Sequence, residues 1–123
     1  MAEVNWRSGE LLITLEATGR GEGFRQIIFT ASRSGFTAAR EAFIDDDHLE
    51  MFIAGIERMS TTLAGQAELL GDYGTEFTLR LTMLPDGHVK VYVEVNHTFA
   101  ELHIEDETDQ TYLPGLRDAL ASL

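Results

Sequence analysis

Two stretches in the second half of the chain show the most regular alternation of apolar and polar residues. Apolar side chains occupy every second position in both, at Phe77, Leu79, Leu81 and Met83 and at Val89, Val91, Val93 and Val95. This period indicates β-strands that bury one face. Between them, Pro85-Asp86-Gly87 suits a tight turn in which glycine takes the left-handed conformation of a G1 bulge. We therefore predict a hairpin with Met83 opposite Val89 and Phe77 opposite Val95.

The first third of the chain contains three further stretches of strand character. Residues 11–17 alternate, with apolar side chains on one side. Residues 24–33 resume the alternation after a glycine-rich run at 19–23, and residues 36–43 follow a turn signal at Ser34-Gly35. Glycine and serine between alternating stretches favour hairpin connections. This part of the sequence predicts a three-stranded antiparallel meander.

A helix is predicted after Ile44, where apolar residues begin to recur at steps of three and four. The apolar stripe comprises Leu49, Phe52, Ile53, Ile56, Met59 and Leu63. An aspartate at 45–47 can accept a free backbone N–H as N-cap, while its neighbours oppose the positive end of the helix dipole. Helix propensity falls at 60–62, and Gly65 supplies a terminator. We predict a helix over 45–62.

The end of the chain predicts one more strand and one more helix. A short segment at 67–70 precedes the hairpin, and alternation marks a last strand at 99–105. The polar run 106–110 is interpreted as a loop. A closing helix begins near 111–113, because Pro114 is tolerated only in a first turn. Its apolar stripe comprises Tyr112, Leu113, Leu116, Ala119, Leu120 and Leu123.

These elements predict an α+β fold. The order is βββ-α-ββββ-α, and we expect one antiparallel sheet of about six to seven strands with both helices packed on one face. The chain has 123 residues, of which 44% are hydrophobic and 24% charged. This composition fits one globular domain, 1–123, with a single core.

Composition also excludes several classes of site and location. The chain has no cysteine, which excludes disulfides, thiolate metal sites and a thiol nucleophile. No apolar run reaches the roughly 18 residues of a membrane span, and the first ten residues lack the apolar core of a signal peptide. We therefore expect no membrane association and a cytoplasmic location.

Charge is distributed unevenly along the chain. The net charge of -12 disfavours nucleic acids and anionic membranes as partners through repulsion. Acidic and basic residues balance in 1–43, so the whole acidic excess lies in 44–123. Such an excess either keeps the protein soluble or forms an acidic face that attracts a basic protein.

Two acidic clusters are the candidate binding residues. The first consists of Asp45, Asp46, Asp47 and Glu50, and the second consists of Glu101, Glu105, Asp106, Glu107 and Asp109. Helix capping explains the first cluster without a partner, and a solvated loop explains the second. Alternatively, both clusters anchor a cationic partner, with Tyr73 and Tyr92 as aromatic contacts between them.

Metal binding and catalysis receive less support from the sequence. His97, Glu101, His103 and Glu105 share one face if 97–105 runs as a single strand, and such a face has the ligand types of a zinc site. Their spacing matches no known metal signature, and a solvated sheet face explains the alternation. No catalytic triad or nucleophile elbow is recognisable, and the glycines at 19–23 precede a strand rather than a phosphate-binding helix. We predict no metal, no cofactor and no enzymatic activity.

Three segments of the chain resemble small acidic bacterial domains that include the WapI-type immunity proteins of wall-associated toxins. The segments are FTASRSGFTAAREAFIDDDHLEMFIAGI (29–56), EFTLRLTMLPDGHVKVYVEV (76–95) and DQTYLPGLRDAL (109–120). This resemblance implies a stoichiometric inhibitor of a toxin domain and transfers no functional residue.

The sequence therefore predicts a non-enzymatic cytoplasmic protein that binds a basic protein, such as a toxin domain encoded nearby, and neutralises it by occlusion. One alternative is a housekeeping or self-associating domain whose charge serves solubility, which leaves homo-oligomers open. The other is a small-molecule or metal-dependent enzyme.

Overall fold

The computed structural model describes residues 3–74 and 76–123. These residues form eight strands and two α-helices in the order ββββ-α-ββββ-α. The first half contains β1 (Glu3–Ser8), β2 (Leu11–Gly21), β3 (Phe24–Arg33), β4 (Phe36–Asp45) and α1 (Asp46–Thr62). The second half contains β5 (Gln66–Leu70), β6 (Phe77–Met83), β7 (His88–His97), β8 (Ala100–Asp109) and α2 (Leu113–Ala121).

The strands form two four-stranded antiparallel sheets, not the single sheet of six to seven strands that the sequence predicted. Sheet 1 has the order β1-β2-β3-β4 and sheet 2 the order β5-β6-β7-β8. The prediction of an α+β fold with antiparallel strands is confirmed, but the βββ-α-ββββ-α order is wrong. Each sheet is a simple meander, so every strand pairs with its neighbour in sequence.

The additional strand is β1, which the sequence analysis overlooked. Val4 and Trp6 are buried on its inner face, opposite Leu15 and Ile13 of β2. Its outward positions are Glu3, Asn5 and Arg7. Two apolar positions in six residues carry a weak periodic signal, so β1 becomes recognisable only when β2 supplies its partners.

The apolar faces of the two sheets meet in one core. Phe29 of β3 and Phe77 of β6 stack with ring centroids 4.2 Å apart and planes 9° apart, and both side chains are fully buried. The helices complete this core. The prediction that both helices cover one face of a single sheet is wrong. Helix α1 packs on β5 and on α2, and α2 packs on β1.

The central hairpin has the predicted register. Met83 pairs with Val89 and Phe77 with Val95. Gly87 has a φ of 87°, and its backbone N–H donates to the Leu84 carbonyl at 3.0 Å. The left-handed glycine and the turn hydrogen bond confirm the prediction for the β6–β7 connection.

Helix α1 has the predicted aspartate N-cap and ends at Thr62 as predicted, but Leu63 and not Gly65 caps its end. The Asp45 carboxylate accepts the Asp47 backbone N–H at 2.8 Å, which confirms an aspartate N-cap. At the other end, Leu63 takes the left-handed cap conformation with a φ of 55°, and its N–H donates to the Met59 carbonyl. Leu63 is half exposed at 50%, so its placement in the buried stripe was wrong.

The C-terminal elements also differ in their limits. Strand β8 runs to Asp109, so the polar run 106–110 is mostly strand and was wrongly interpreted as a loop. A short 3-10 turn at Gln110–Tyr112 then leads into α2, whose first turn holds Pro114 as predicted. Tyr112 was predicted in the apolar stripe, but it is 58% exposed.

Candidate binding surface

The outward face of sheet 2 carries most of the polar side chains of the second half. Residues alternate along its strands, so the side chains opposite to the core share this face. Its carboxylates are Glu68, Glu94, Glu101, Glu105, Glu107 and Asp109. Arg80 and Lys90 are the basic side chains at the outward strand positions. The face is therefore strongly acidic.

Both basic side chains of this face are paired within the sheet. The Arg80 Nε and Nη2 atoms each lie 2.7 Å from Glu68 Oε2, and the guanidinium lies 5.2 Å from the ring centroid of Tyr92. Lys90 Nζ lies 3.4 Å from a Glu105 oxygen. These two pairs neutralise Glu68 and Glu105 locally.

A hydrogen-bond network joins β7 to β8 at the centre of the face. The Tyr92 hydroxyl donates to Glu94 Oε2 at 2.9 Å and lies 2.9 Å from His103 Nδ1. His103 Nε2 lies 2.8 Å from Glu101 Oε2. On the far side of Glu94, the Asn96 side-chain amide donates to Oε1 at 2.9 Å. Tyr92 and Glu101, both predicted as site residues, therefore meet through His103.

The network shifts the protonation of its members. The Asn96 amide and then the Tyr92 hydroxyl donate to Glu94 and lower the pKa of its carboxyl group. The hydrogen bond to Glu101 raises the pKa of His103. Desolvation, followed by the hydrogen bond to Glu94, raises the pKa of Tyr92. Glu94 is thus held ionised, and the Tyr92 hydroxyl keeps its proton.

The second predicted acidic cluster is divided between the two faces of β8. Glu101, Glu105 and Glu107 point outward and are exposed. Asp106 points inward instead, where its carboxylate lies 3.4 Å from Arg33 Nε of β3. Glu101 and Glu105 lie on the predicted strand, whereas the solvated loop predicted from Asp106 onward is wrong, because β8 continues to Asp109. Glu101, Glu105 and Glu107 are referred to below as the β8 acidic row.

Asp109 has a structural role at the end of β8. Its carboxylate accepts the Thr111 backbone N–H at 2.9 Å and caps the following 3-10 turn. This backbone hydrogen bond is the first cause of the lowered pKa of Asp109. Capping therefore explains Asp109 without a partner.

The first predicted cluster lies apart from the β8 acidic row. Asp45 caps α1, and Asp46 lies 3.4 Å from Arg25 Nη1. Asp47 and Glu50 are exposed. Tyr73, in the β5–β6 connection, is 76% exposed. Helix α1 packs against β5, at the opposite edge of sheet 2 from β8, so the fold does not join the two clusters through Tyr73 and Tyr92.

Two exposed phenylalanines near the β8 acidic row were not selected in the sequence analysis, and one of them lines a groove. Phe36, at the start of β4, is 68% exposed and lines a cavity of about 430 Å³ together with Leu102 and Ile104 of β8. Phe99, in the β7–β8 turn, is 98% exposed. Phe36 follows the turn signal at Ser34-Gly35, which was the available indication that it stands at a hairpin tip, whereas Phe99 was predicted to begin the last strand and lies in the turn before it.

The four side chains that were weighed as zinc ligands do not lie on a single strand. His97 lies at the end of β7, where its Nε2 atom is 2.7 Å from the Ala39 carbonyl oxygen of β4. Glu105 pairs with Lys90. Glu94, which was not among the candidates, lies directly opposite His103 in the β7–β8 register. The register of this strand pair was the missing information.

Neither helix in the described residues is long and apolar enough to cross a membrane.

Comparisons with known proteins support the fold and no assignment beyond it. No protein-family model matches the chain, and no curated protein matches it. The structure of Trypanosoma brucei MRP1/MRP2 is similar over 98% of this chain and 80% of that chain, with 11% identity and a TM-score of 0.55. The structure of the plant transcriptional regulator PBF-2 is similar over 99% of this chain and 80% of that chain, with 10% identity and a TM-score of 0.55. At these identities the two structures are similar to this chain in fold alone.

Proposed function

We propose that this protein is a non-enzymatic binding domain that captures a basic protein on the β8 acidic row and the adjoining groove. The observation that carries the proposal is the position of three exposed carboxylates on an edge strand beside exposed aromatic side chains. Exposed aromatic side chains surrounded by a polar rim are typical of a protein-binding surface.

The acidic row supplies attraction over distance. The Glu107 carboxylate lies 3.8 Å from His88, and Glu101 contacts His103, so the cation-forming neighbours of these two carboxylates are histidines. The outward face of sheet 2 carries more carboxylates than basic side chains, so the face that includes the row retains a negative field. This field accelerates encounter with a basic surface and disfavours an acidic one.

The groove and the exposed phenylalanines beside β8 supply contacts that persist after encounter. Large apolar side chains on a surface lose solvent contact when a partner covers them, and aromatic anchors contribute most to slow dissociation. Phe36 and Phe99 offer such anchors because both project from hairpin tips next to β8. We propose that they determine the lifetime of the complex, whereas the acidic row determines its rate of formation.

Because of the resemblance to WapI-type immunity proteins, we favour a basic toxin domain as the partner. We propose that an adjacent gene encodes this toxin and that the complex forms in the bacterial cytoplasm. No comparison matches that family, so the proposal depends on the surface and on the sequence resemblance. PBF-2 is a transcriptional regulator. We do not extend a nucleic-acid role to this chain, because its net charge of -12 opposes phosphate backbones.

Complex formation with the product of the adjacent gene tests this proposal. We expect one-to-one complexes in size-exclusion chromatography and loss of the partner's toxic activity upon complex formation. The double substitution Phe36→Ala and Phe99→Ala should raise the dissociation rate about tenfold or more, because it removes the apolar anchors. Met51→Ala is the matched control, since Met51 is 70% exposed on α1.

Two results would contradict the proposal. Failure to form a complex even at low salt would exclude capture of this partner. Equal binding of a generic basic protein such as lysozyme would show that charge acts without specificity, which supports the alternative that the acidic excess serves solubility.

A further inference from the structure

Three side chains of the types that bind metal ions converge on the outward face of sheet 2. Glu94 of β7 lies directly opposite His103 of β8, and Glu101 is the next outward residue along β8. One ligand atom from each of the three lies within 4.8 Å of the other two. Ligands of a tetrahedral zinc ion lie about 3.3 Å apart, given zinc–ligand distances of about 2.0–2.2 Å. Glu101 and His103 are exposed, and small rotations of these two side chains cover this difference.

His103 is oriented by a residue outside this group. The Tyr92 hydroxyl donates its single proton to Glu94, so its oxygen is available to accept the Nδ1–H of His103 at 2.9 Å. This hydrogen bond selects the tautomer in which Nε2 carries the free lone pair. Histidines that bind metals are commonly fixed in this way by a hydrogen bond to the other ring nitrogen.

The carboxylates of Glu101 and Glu94 are also held close to His103. Glu101 Oε2 lies 2.8 Å from His103 Nε2, the nitrogen that the Tyr92 contact leaves free. Glu94 is held from both sides, by Tyr92 at Oε2 and by the Asn96 amide at Oε1. When His103 is protonated, its Nε2–H donates to Glu101. A divalent ion would replace that proton and bind both groups.

We propose that Glu94, Glu101 and His103 form a site for a divalent transition-metal ion, with Zn²⁺ as the ion that fits best. An imidazole favours zinc over magnesium or calcium, which prefer ligand sets made of oxygen atoms alone. Three protein ligands leave a position open to water or to a partner's side chain. The site shares Glu101 with the β8 acidic row, but its test needs this protein alone and does not depend on the proposed basic partner.

Calorimetric titration of the full chain with Zn²⁺ tests the site. We expect one ion per chain, together with a shift of the His103 ring signals in NMR spectra, and no comparable response to Mg²⁺. His103→Gln should abolish binding. Tyr92→Phe should weaken it about 10–100-fold, because the substitution removes the group that orients the imidazole.

His88→Gln is the matched control. His88 also lies near two carboxylates, with Nδ1 at 3.2 Å from Asp86 and 3.8 Å from Glu107, but these residues do not form a converging set. We expect His88→Gln to bind Zn²⁺ like the unaltered protein. Absence of zinc binding would overturn the proposal, as would equal binding by His103→Gln or loss of binding in His88→Gln. All these variants should keep the thermal unfolding transition of a folded chain, which excludes misfolding as the cause.

Discussion

Replacing Phe29 or Phe77 with alanine is expected to lower the free energy of unfolding by about 3–5 kcal/mol. Both side chains are fully buried, and their stacked rings join sheet 1 to sheet 2. Each substitution removes apolar contacts from both sheets and leaves a cavity between them. Chemical denaturation measures the loss directly. Phe36→Ala, at a residue that is 68% exposed, should change stability by less than about 1 kcal/mol.

A double-mutant cycle shows whether the two rings interact with each other. Stacked aromatic pairs contribute about 0.5–1.5 kcal/mol beyond the burial of each ring. We therefore expect the double variant to lose less stability than the sum of the two single losses. Strict additivity would mean that Phe29 and Phe77 are not in contact, which would contradict the packing of the two sheets on each other.

Replacing Phe52 with alanine should likewise lower the free energy of unfolding by about 3–5 kcal/mol. Phe52 is 2% exposed on the core side of α1, where the helix closes the space between the sheets. Its sequence neighbour Met51 points to solvent and is 70% exposed. Met51→Ala on the same helix turn should therefore change stability by less than about 1 kcal/mol. Similar losses for both variants in urea titrations would mean that α1 is rotated relative to its described orientation.

Local pattern was sufficient where an element carries its own signal. The β6–β7 hairpin was predicted with its register because alternation on both strands and the glycine of the turn all indicate the same pairing. The start of α1 was predicted because an aspartate precedes a helical apolar stripe. In both cases the residues that determine the structure are close in sequence.

Long-range information was required for the rest of the fold. Alternation shows that a strand buries one face, but it does not show which other strands or helices cover that face. The stacking of Phe29 on Phe77 packs sheet 1 against sheet 2, and these two residues are far apart in the sequence. Strand β1 and the last residues of β8 are mostly polar, and they are strands because a neighbouring strand supplies hydrogen bonds.

The candidate surface was predicted only in part for the same reason. Acidic residues after the last strand were visible in the sequence, but a loop places them all in solvent, whereas a strand turns Asp106 inward to Arg33. Glu94 was missed because its role depends on lying opposite His103 in the β7–β8 register. Phe36 and Phe99 were not recognised because their exposure follows from the positions of hairpin tips.

We propose that the β8 acidic row steers a basic partner to this protein. The most direct test is the association rate with the product of the adjacent gene, measured at several salt concentrations for two triple variants. The first variant reverses the row through Glu101→Lys, Glu105→Lys and Glu107→Lys. The matched control reverses three acidic residues on the outward face of sheet 1, through Glu3→Lys, Glu16→Lys and Glu41→Lys. Both variants change the net charge by the same amount.

We expect the association rate of the unaltered protein to fall as salt rises past about 0.15 M, where the Debye length is about 8 Å. The variant with the reversed row should associate at least about tenfold more slowly than the unaltered protein at low salt, and its rate should depend little on salt. The control variant should retain most of the association rate and most of its salt dependence. Equal rates for the two triple variants would contradict a steering role for the row and would leave the acidic excess as a general property of the surface.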